Sequence, residues 1–161
     1  AGAQIHLIGH LQSNKVSKII GKAAMIQSVD SIQIAAEIDK KSGQAGFVTD
    51  ILIEVNIARQ ASKSGFHPEQ TLEAAQEISG FRALRVQGMM TVPPICDSSA
   101  EIRKYFEAMR RLFVDISDKK IDNISCNILS MGMSGDFVEA ILEGSNMVRI
   151  GSAIFGLRHY Q

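Results

Sequence analysis

Short apolar runs alternate along the chain with longer segments whose apolar residues recur at helical spacing. Several of the runs are almost continuously apolar, which is typical of strands covered on both faces in a parallel sheet. The pattern therefore predicts an α/β protein built on a parallel sheet. The six predicted strands are Ile5–Gly9, Met25–Val29, Ile51–Ile57, Leu84–Met90, Ser125–Met131 and Met147–Phe155.

Five helices are predicted between these strands. In the longest, apolar residues recur every three or four positions from Ile102 to Ile116, and Ser98 and Glu101 form a capping box before them. The last helix begins near Phe137 and is closed by Gly144, a residue suited to a helix C-terminus. The other three are expected near residues 16–23, 31–38 and 68–78.

Six strands separated by five helices, without a linker or a clear repeat, indicate a single domain over residues 1–161. An open doubly wound sheet is the competing fold, but the chain lacks the Gly-rich turn that dinucleotide-binding versions need after an early strand. We therefore expect a (βα)8 TIM-type barrel, whose closure needs eight units. Because about six units are counted and the chain starts abruptly at Ala1, we expect the first two units to be missing.

Composition and charge narrow the range of partners. The chain is 45% apolar and carries 17 basic and 17 acidic residues, so the attraction that dominates non-specific binding to nucleic acids and anionic membranes is absent. We expect neither partner. Cys96 and Cys126 lack metal-ligand spacing and are expected to be buried thiols, with no metal site. No apolar run approaches the roughly 20 residues of a membrane span, which predicts a cytoplasmic location.

The candidate chemistry lies in the last two predicted strands. Barrel active sites form at the carboxyl ends of the strands, and a phosphate is often held by the loops after strands seven and eight. Ser130, Gly132, Gly151 and Ser152 fall there, where glycine backbones can approach an anion and hydroxyl groups can donate to it. Ser134 has two interpretations: it contacts the same anion, or it caps the following helix.

Arg149 interrupts an apolar run between Val148 and Ile150. A guanidinium keeps its charge in proteins and needs a partner when it is buried. Arg149 therefore either belongs to a structural ion pair or faces a ligand, and both interpretations stay open.

Seven segments, in order along the whole chain, resemble the pyridoxal phosphate homeostasis protein family, and the C-terminal motifs are highly specific. Members of that family are single-domain barrels similar to the N-terminal domain of alanine racemase. They bind pyridoxal 5'-phosphate (PLP), a form of vitamin B6, without an established turnover. The matching segments are Ile5–Lys15, Glu54–Asn56, Ser62–Gly65, Gly88–Pro93, Leu129–Ser134, Val148–Gly151 and Ile154–Gly156.

The resemblance implies that Ser130, Gly151 and Ser152 hold the phosphate and that Arg149 faces the pyridine nitrogen. A permanent positive charge there disfavours protonation of that nitrogen, which weakens the ring as an electron sink. The family's lysine that bonds covalently to the cofactor ends the first barrel strand and has no counterpart here. No catalytic residue is therefore assigned.

Further residues complete the predicted cofactor site. Lys63 follows the third predicted strand and is the best substitute amine for the cofactor aldehyde, unless it is an ordinary solvated lysine. Asn56 is predicted to reach the cofactor, together with Gly132 and Ser134. Lys15, His6, His10, Met89 and Met90 are weaker candidates. For Lys15 exposure to solvent is the favoured interpretation, and for the other four it is core packing.

Three functions are compatible with these features. The first is a PLP carrier or buffer in intracellular PLP homeostasis, with PLP-dependent apoenzymes as recipients; whether it also catalyses a reaction is left open. The second is a PLP-dependent amino-acid racemase or lyase, and the third is a cofactor-free isomerase of phosphorylated metabolites. Because the covalent lysine and two strands are expected to be missing, the 161-residue chain alone is expected to bind PLP weakly or not at all.

Overall fold

Six parallel strands form one sheet in which each strand lies beside its neighbour in sequence. The computed structural model describes residues 2–156. The prediction of a parallel α/β sheet is confirmed, and Met25–Val29 and Leu84–Met90 have the predicted bounds. The strands are β1 His6–Leu7, β2 Met25–Val29, β3 Thr49–Glu54, β4 Leu84–Met90, β5 Ile124–Met133 and β6 Met147–Arg149.

One helix separates each pair of successive strands, as predicted, and a further short helix follows β6. A 3-10 turn, Ser13–Lys15, precedes the first helix. The helices are α1 Val16–Ile19, α2 Ile32–Ala45, α3 Pro68–Ser79, α4 Ser99–Asp118, α5 Phe137–Leu142 and α6 Ser152–Phe155.

Local chemistry accounts for several helix ends. The Ser98 hydroxyl accepts from the Glu101 backbone N–H at 3.2 Å, so the predicted cap of α4 is in place. Pro68 is the first residue of α3, where its missing N–H would have no partner within the helix. Gly144 follows α5 with a φ of +96°, a left-handed conformation that favours glycine, as the sequence predicted.

The predicted strand Met147–Phe155 is wrong in its second half. The strand ends at Arg149, and Ser152–Phe155 forms a helical turn in which Ile154 and Phe155 donate to the Gly151 carbonyl. Gly151 has a φ of −119° and a ψ of −82°, which turns the chain out of the extended conformation. An apolar run of this length does not distinguish a strand from a short helix.

Two apolar clusters lie on opposite faces of the sheet. The larger fills the space between the sheet and the helices, and it includes Met89 of β4 and Phe106 of α4. The smaller lies on the concave face and contains few residues. Met89 and Met90 are both buried but belong to different clusters, which confirms core packing for both. The concave cluster consists of Met25, Leu52 and Met90, with Ile128 packed against them.

The sheet is strongly curled. In a flat sheet β2 and β5 would be three strand spacings apart, or about 14 Å. Instead, the Ser130 hydroxyl of β5 donates to Gln27 Oε1 of β2 at 2.7 Å, and Gln27 Nε2 lies 3.2 Å from the Met147 sulfur of β6. The sheet is therefore a parallel half-barrel of six strands. Within residues 2–156 we find no helix that is both long and apolar enough to cross a membrane.

Candidate functional site

A chain of hydrogen bonds crosses the concave face and connects four strands with the end of a fifth. Arg149 of β6 donates to the Ser130 hydroxyl at 2.6 Å and to the Thr91 carbonyl, just after β4, at 2.9 Å. Ser130 donates to Gln27 of β2, which in turn donates to His6 Nδ1 of β1 at 3.0 Å. Ser130 is fully buried, so its hydroxyl is committed to this network.

Arg149 is a buried cation whose hydrogen bonds, within the described residues, go to neutral oxygens. Only 9% of it is exposed. Burial lowers the pKa of the guanidinium, while the nearby carboxyl groups of Asp136 and Glu54 oppose that shift. Of the two interpretations of Arg149, these contacts favour a cation that faces a ligand over one held in a hydrogen-bonded ion pair.

Two backbone N–H groups after β6 point at one oxygen. The Gly151 and Ala153 N–H groups both donate to the Ser134 hydroxyl oxygen, at 3.1 and 3.2 Å. Ser134 does not cap α5, since Asp136 is its N-cap residue and accepts from the Met133 N–H at 2.6 Å. Ser134 instead connects the loop after β5 with the loop after β6, at the predicted position of the phosphate.

A hollow of about 710 Å³ opens beside this contact, and we call it the glycine–serine hollow. Ser152 is exposed at its wall. Three of the predicted phosphate residues, Ser134, Gly151 and Ser152, are thus brought together, whereas Ser130 belongs to the buried network. The lining residues are Met133, Ser134, Gly135, Gly151, Ser152, Phe155 and Gly156.

Gly132 and Lys63 line a second hollow of about 700 Å³, the lysine hollow. The two hollows share Met133 and Gly135. Gly132 has a φ of +96°, and a Cβ on it would lie 2.6 Å from the Ala140 Cβ of α5. A glycine is therefore needed at position 132 for the packing of α5, whatever its role toward a ligand.

Lys63 and Asn56 organise the loop after β3. The Lys63 ammonium donates to the Val92 and Pro93 carbonyls at 3.1 and 3.0 Å, which ties this loop to the one after β4. The Asn56 amide donates to the Gln60 and Lys63 carbonyls and accepts from the Gln60 N–H. Lys63 is thus not a freely solvated side chain, and both residues shape the mouth of the half-barrel.

The weaker candidates are placed as follows. Lys15 is exposed in the turn before α1, and His6 ends the hydrogen-bond chain on the concave face. His10 contacts Asp30 at 2.8 Å, beyond the ends of β1 and β2. Within residues 2–156, no three His, Cys, Asp or Glu side chains are grouped so as to hold a metal ion.

Sequence reasoning missed Glu54 as a site residue. Burial raises the pKa of Glu54 to about 7; Asp30 adds to the shift, while His10, Arg149 and Lys63 oppose it. Perturbed carboxyl groups of this kind concentrate at functional sites. Two signals could have identified such residues: Glu54 is an acidic residue in the apolar run Ile51–Ile57, and Gln27 is a polar residue in the middle of β2.

Comparison with known sequences identifies a family. The model of the family described as alanine racemase, N-terminal domain, matches residues 1–159. A pyridoxal phosphate homeostasis protein from Aquifex aeolicus is 39% identical over 155 residues, which cover 96% of this chain and 67% of that protein. The corresponding protein from Haemophilus influenzae is 37% identical, with 65% of it covered. The chain thus spans about two thirds of the length of these curated relatives.

Solved structures agree with the fold described above. PipY from Synechococcus elongatus, solved with PLP bound, has a TM-score of 0.85 and 27% identity. The match covers 95% of this chain and 70% of that one. A protein of unknown function from Bifidobacterium adolescentis has a TM-score of 0.90 and 38% identity, over 94% of this chain and 60% of that one. Both similarities extend over nearly all of the half-barrel.

Proposed function

We propose that the protein, as its gene encodes it, binds PLP at the carboxyl ends of the strands described here. This chain belongs to the family described as the N-terminal domain of alanine racemase, and within it to the pyridoxal phosphate homeostasis proteins. The observation that carries the proposal is the convergence of the Gly151 and Ala153 N–H groups on one oxygen, at the wall of an open hollow. Backbone N–H groups that point to a common position are the elements from which proteins build anion-binding concavities.

The hydrogen-bond donors at this end of the half-barrel fit the two ends of PLP, the phosphate and the ring nitrogen. In the proposed site, a phosphate oxygen replaces the Ser134 hydroxyl oxygen as the acceptor of the Gly151 and Ala153 N–H groups. The Ser134 and Ser152 hydroxyl groups then donate to the phosphate. Arg149, oriented by Ser130 and Thr91, faces the ring nitrogen. When bound, the cofactor would supply an aldehyde that reacts with amines and a ring that can accept electrons.

The proposed role is storage and delivery of the cofactor, without turnover of a substrate. A cationic arginine at the ring nitrogen keeps that nitrogen unprotonated, which weakens the electron withdrawal that racemases and lyases need. Lys63 is the proposed amine for a reversible bond to the aldehyde, provided that it leaves the Val92 and Pro93 carbonyls. PLP-dependent apoenzymes are the proposed recipients, and the proposed location is the cytoplasm.

Assays of the protein as its gene encodes it separate storage from catalysis. The expected result is a visible absorbance band after addition of PLP, its loss on borohydride treatment, and no racemisation of alanine over hours. Because borohydride reduces the free aldehyde as well as an imine, a bond between an amine of the protein and the cofactor is indicated only if the reduced cofactor stays attached to the denatured protein, as a mass increase. Multiple turnovers of alanine would instead support the racemase alternative, and absence of PLP binding would contradict the proposal.

Ser152→Ala is expected to weaken PLP binding about tenfold, because one hydrogen bond to a charged phosphate is lost. Ser152 is exposed, so the free energy of unfolding should change little. The measurement is fluorescence titration with PLP and with unphosphorylated pyridoxal, whose affinity should not change. Ser17→Ala, at an exposed position of α1, is the control. Equal loss of affinity for both ligands would place Ser152 away from the phosphate.

A further inference from the structure

The carboxyl group of Glu54 has no role in the proposed function, although it lies among charged groups. It is the last residue of β3, and side chains in a strand alternate between the two faces of the sheet. Leu52, two residues earlier, lies in the concave apolar cluster. Glu54 therefore also points to the concave face, one step closer to the carboxyl ends of the strands.

Charged groups from four other parts of the structure lie around Glu54. Arg149 of β6 donates to the carbonyl of Thr91, which follows Met90, the residue paired with Glu54, and Lys63 donates to the next carbonyl, that of Val92. His10 and Asp30, which follow β1 and β2, contact each other at 2.8 Å and also act on Glu54 through charge. Among the described residues these groups act on Glu54 through charge and not through a hydrogen bond. The residue paired with it on β4 is Met90, which is uncharged. Glu54 is thus a carboxyl group between two cations and one anion, beside a histidine.

Building on the proposed function, we propose that Glu54 couples cofactor binding to proton uptake. Its carboxyl group takes up a proton from solvent when the anionic cofactor enters the half-barrel and releases the proton when the cofactor leaves. An anion bound near Arg149 and Lys63 would engage the same cations that stabilise the ionised carboxylate, and would repel that carboxylate. Glu54 therefore takes up a proton when the ligand binds. Its ionisation opposes binding and favours release.

The sign of the pH dependence follows from this linkage. Because burial raises the pKa of free Glu54 to about 7, the residue is mostly protonated at about pH 5.5 and mostly ionised at about pH 8.5. Glutamine has the size of the protonated acid and stays neutral. Glu54→Gln should therefore bind like the wild type at low pH and more tightly than the wild type at high pH.

The test is a PLP titration of the wild type and Glu54→Gln, in the protein as its gene encodes it, at both pH values. We expect the ratio of wild-type Kd to variant Kd to be about one at low pH. It should rise to about tenfold at high pH, which corresponds to a shift of one pKa unit on binding. The ratio cancels the titration of the cofactor phosphate itself. Glu73→Gln, an exposed carboxylate on α3, should give a ratio near one throughout.

Carbon-13 NMR of the Glu54 carboxyl group tests the same point in the unmodified protein. Its titration midpoint should lie near 7 and should rise when PLP is added. A Kd ratio near one at both pH values, or a midpoint that PLP does not move, would overturn the role of Glu54 while leaving PLP binding intact. If neither protein binds PLP at either pH, the proposed function fails as well.

Discussion

Replacing Gly88 by alanine is expected to prevent the chain from folding. Gly88 lies in β4 with a φ of +150°, and an added Cβ would lie 1.9 Å from the Ile128 carbonyl oxygen of β5. That oxygen belongs to the backbone of the neighbouring strand, which cannot move away without breaking the pairing of Gly88 with Ile128. We expect a loss above about 4 kcal/mol, close to the whole stability of many domains.

Circular dichroism during urea unfolding measures this effect, together with the yield of soluble protein. The matched control is Gly43→Ala in α2, where the new Cβ would make an ordinary contact with the Ala83 Cβ at 3.8 Å. Alanine there should stabilise the protein by about 0.5–1 kcal/mol, because it favours the helix. A Gly88→Ala protein that unfolds cooperatively with a midpoint close to the wild type would refute the close approach of β4 and β5.

Replacing Arg149 by methionine is expected to separate ligand binding from stability. Methionine retains most of the volume of the side chain and removes the desolvation cost of a buried charge, which offsets the loss of the hydrogen bonds to Ser130 and Thr91. The melting temperature should therefore change by only a few degrees. Affinity for PLP should fall about a hundredfold, because a charged hydrogen bond at a desolvated position is lost.

The control is Arg85→Met, which removes the same charge near the start of β4, where Arg85 pairs with Asp50 at 2.6 Å. It should leave PLP affinity unchanged, since the proposed site lies at the other end of the strands. Arg149→Ala should lose both affinity and stability, because it also removes the packing of the side-chain stem. If Arg149→Met keeps full affinity, the guanidinium does not face the ligand.

The sequence predicted the fold better in the middle of the chain than at its end. Met25–Val29 and Leu84–Met90 were predicted to the residue because each is a short segment that begins and ends with apolar residues and lies between turn or helix signals. Residues 147–155 also form an apolar run, but the backbone turns at Gly151. Periodicity does not contain that information, since a short apolar run is compatible with a strand and with a short helix.

The site was predictable where one residue is unusual in its own surroundings. Arg149 drew attention as a lone charge in an apolar strand, and the structure buries it on the concave face. Its connection to Gln27 through Ser130 was not predictable, because Gln27 and Ser130 are 103 residues apart and meet only because the sheet curls. The environment of Glu54 depends on the same curvature.

The unequal size of the two apolar clusters has a consequence for how this architecture can change in evolution. Successive residues of β4 pack on opposite faces of the sheet. Met89 belongs to the cluster between the sheet and the helices, while Met90 belongs to the small cluster on the concave face. Mutations on the helix side would disturb the main core, whereas on the concave side only the few residues of the small cluster depend on apolar packing, and the polar residues around them can change with less loss of stability. A single strand thus combines a conservative face with an adaptable one.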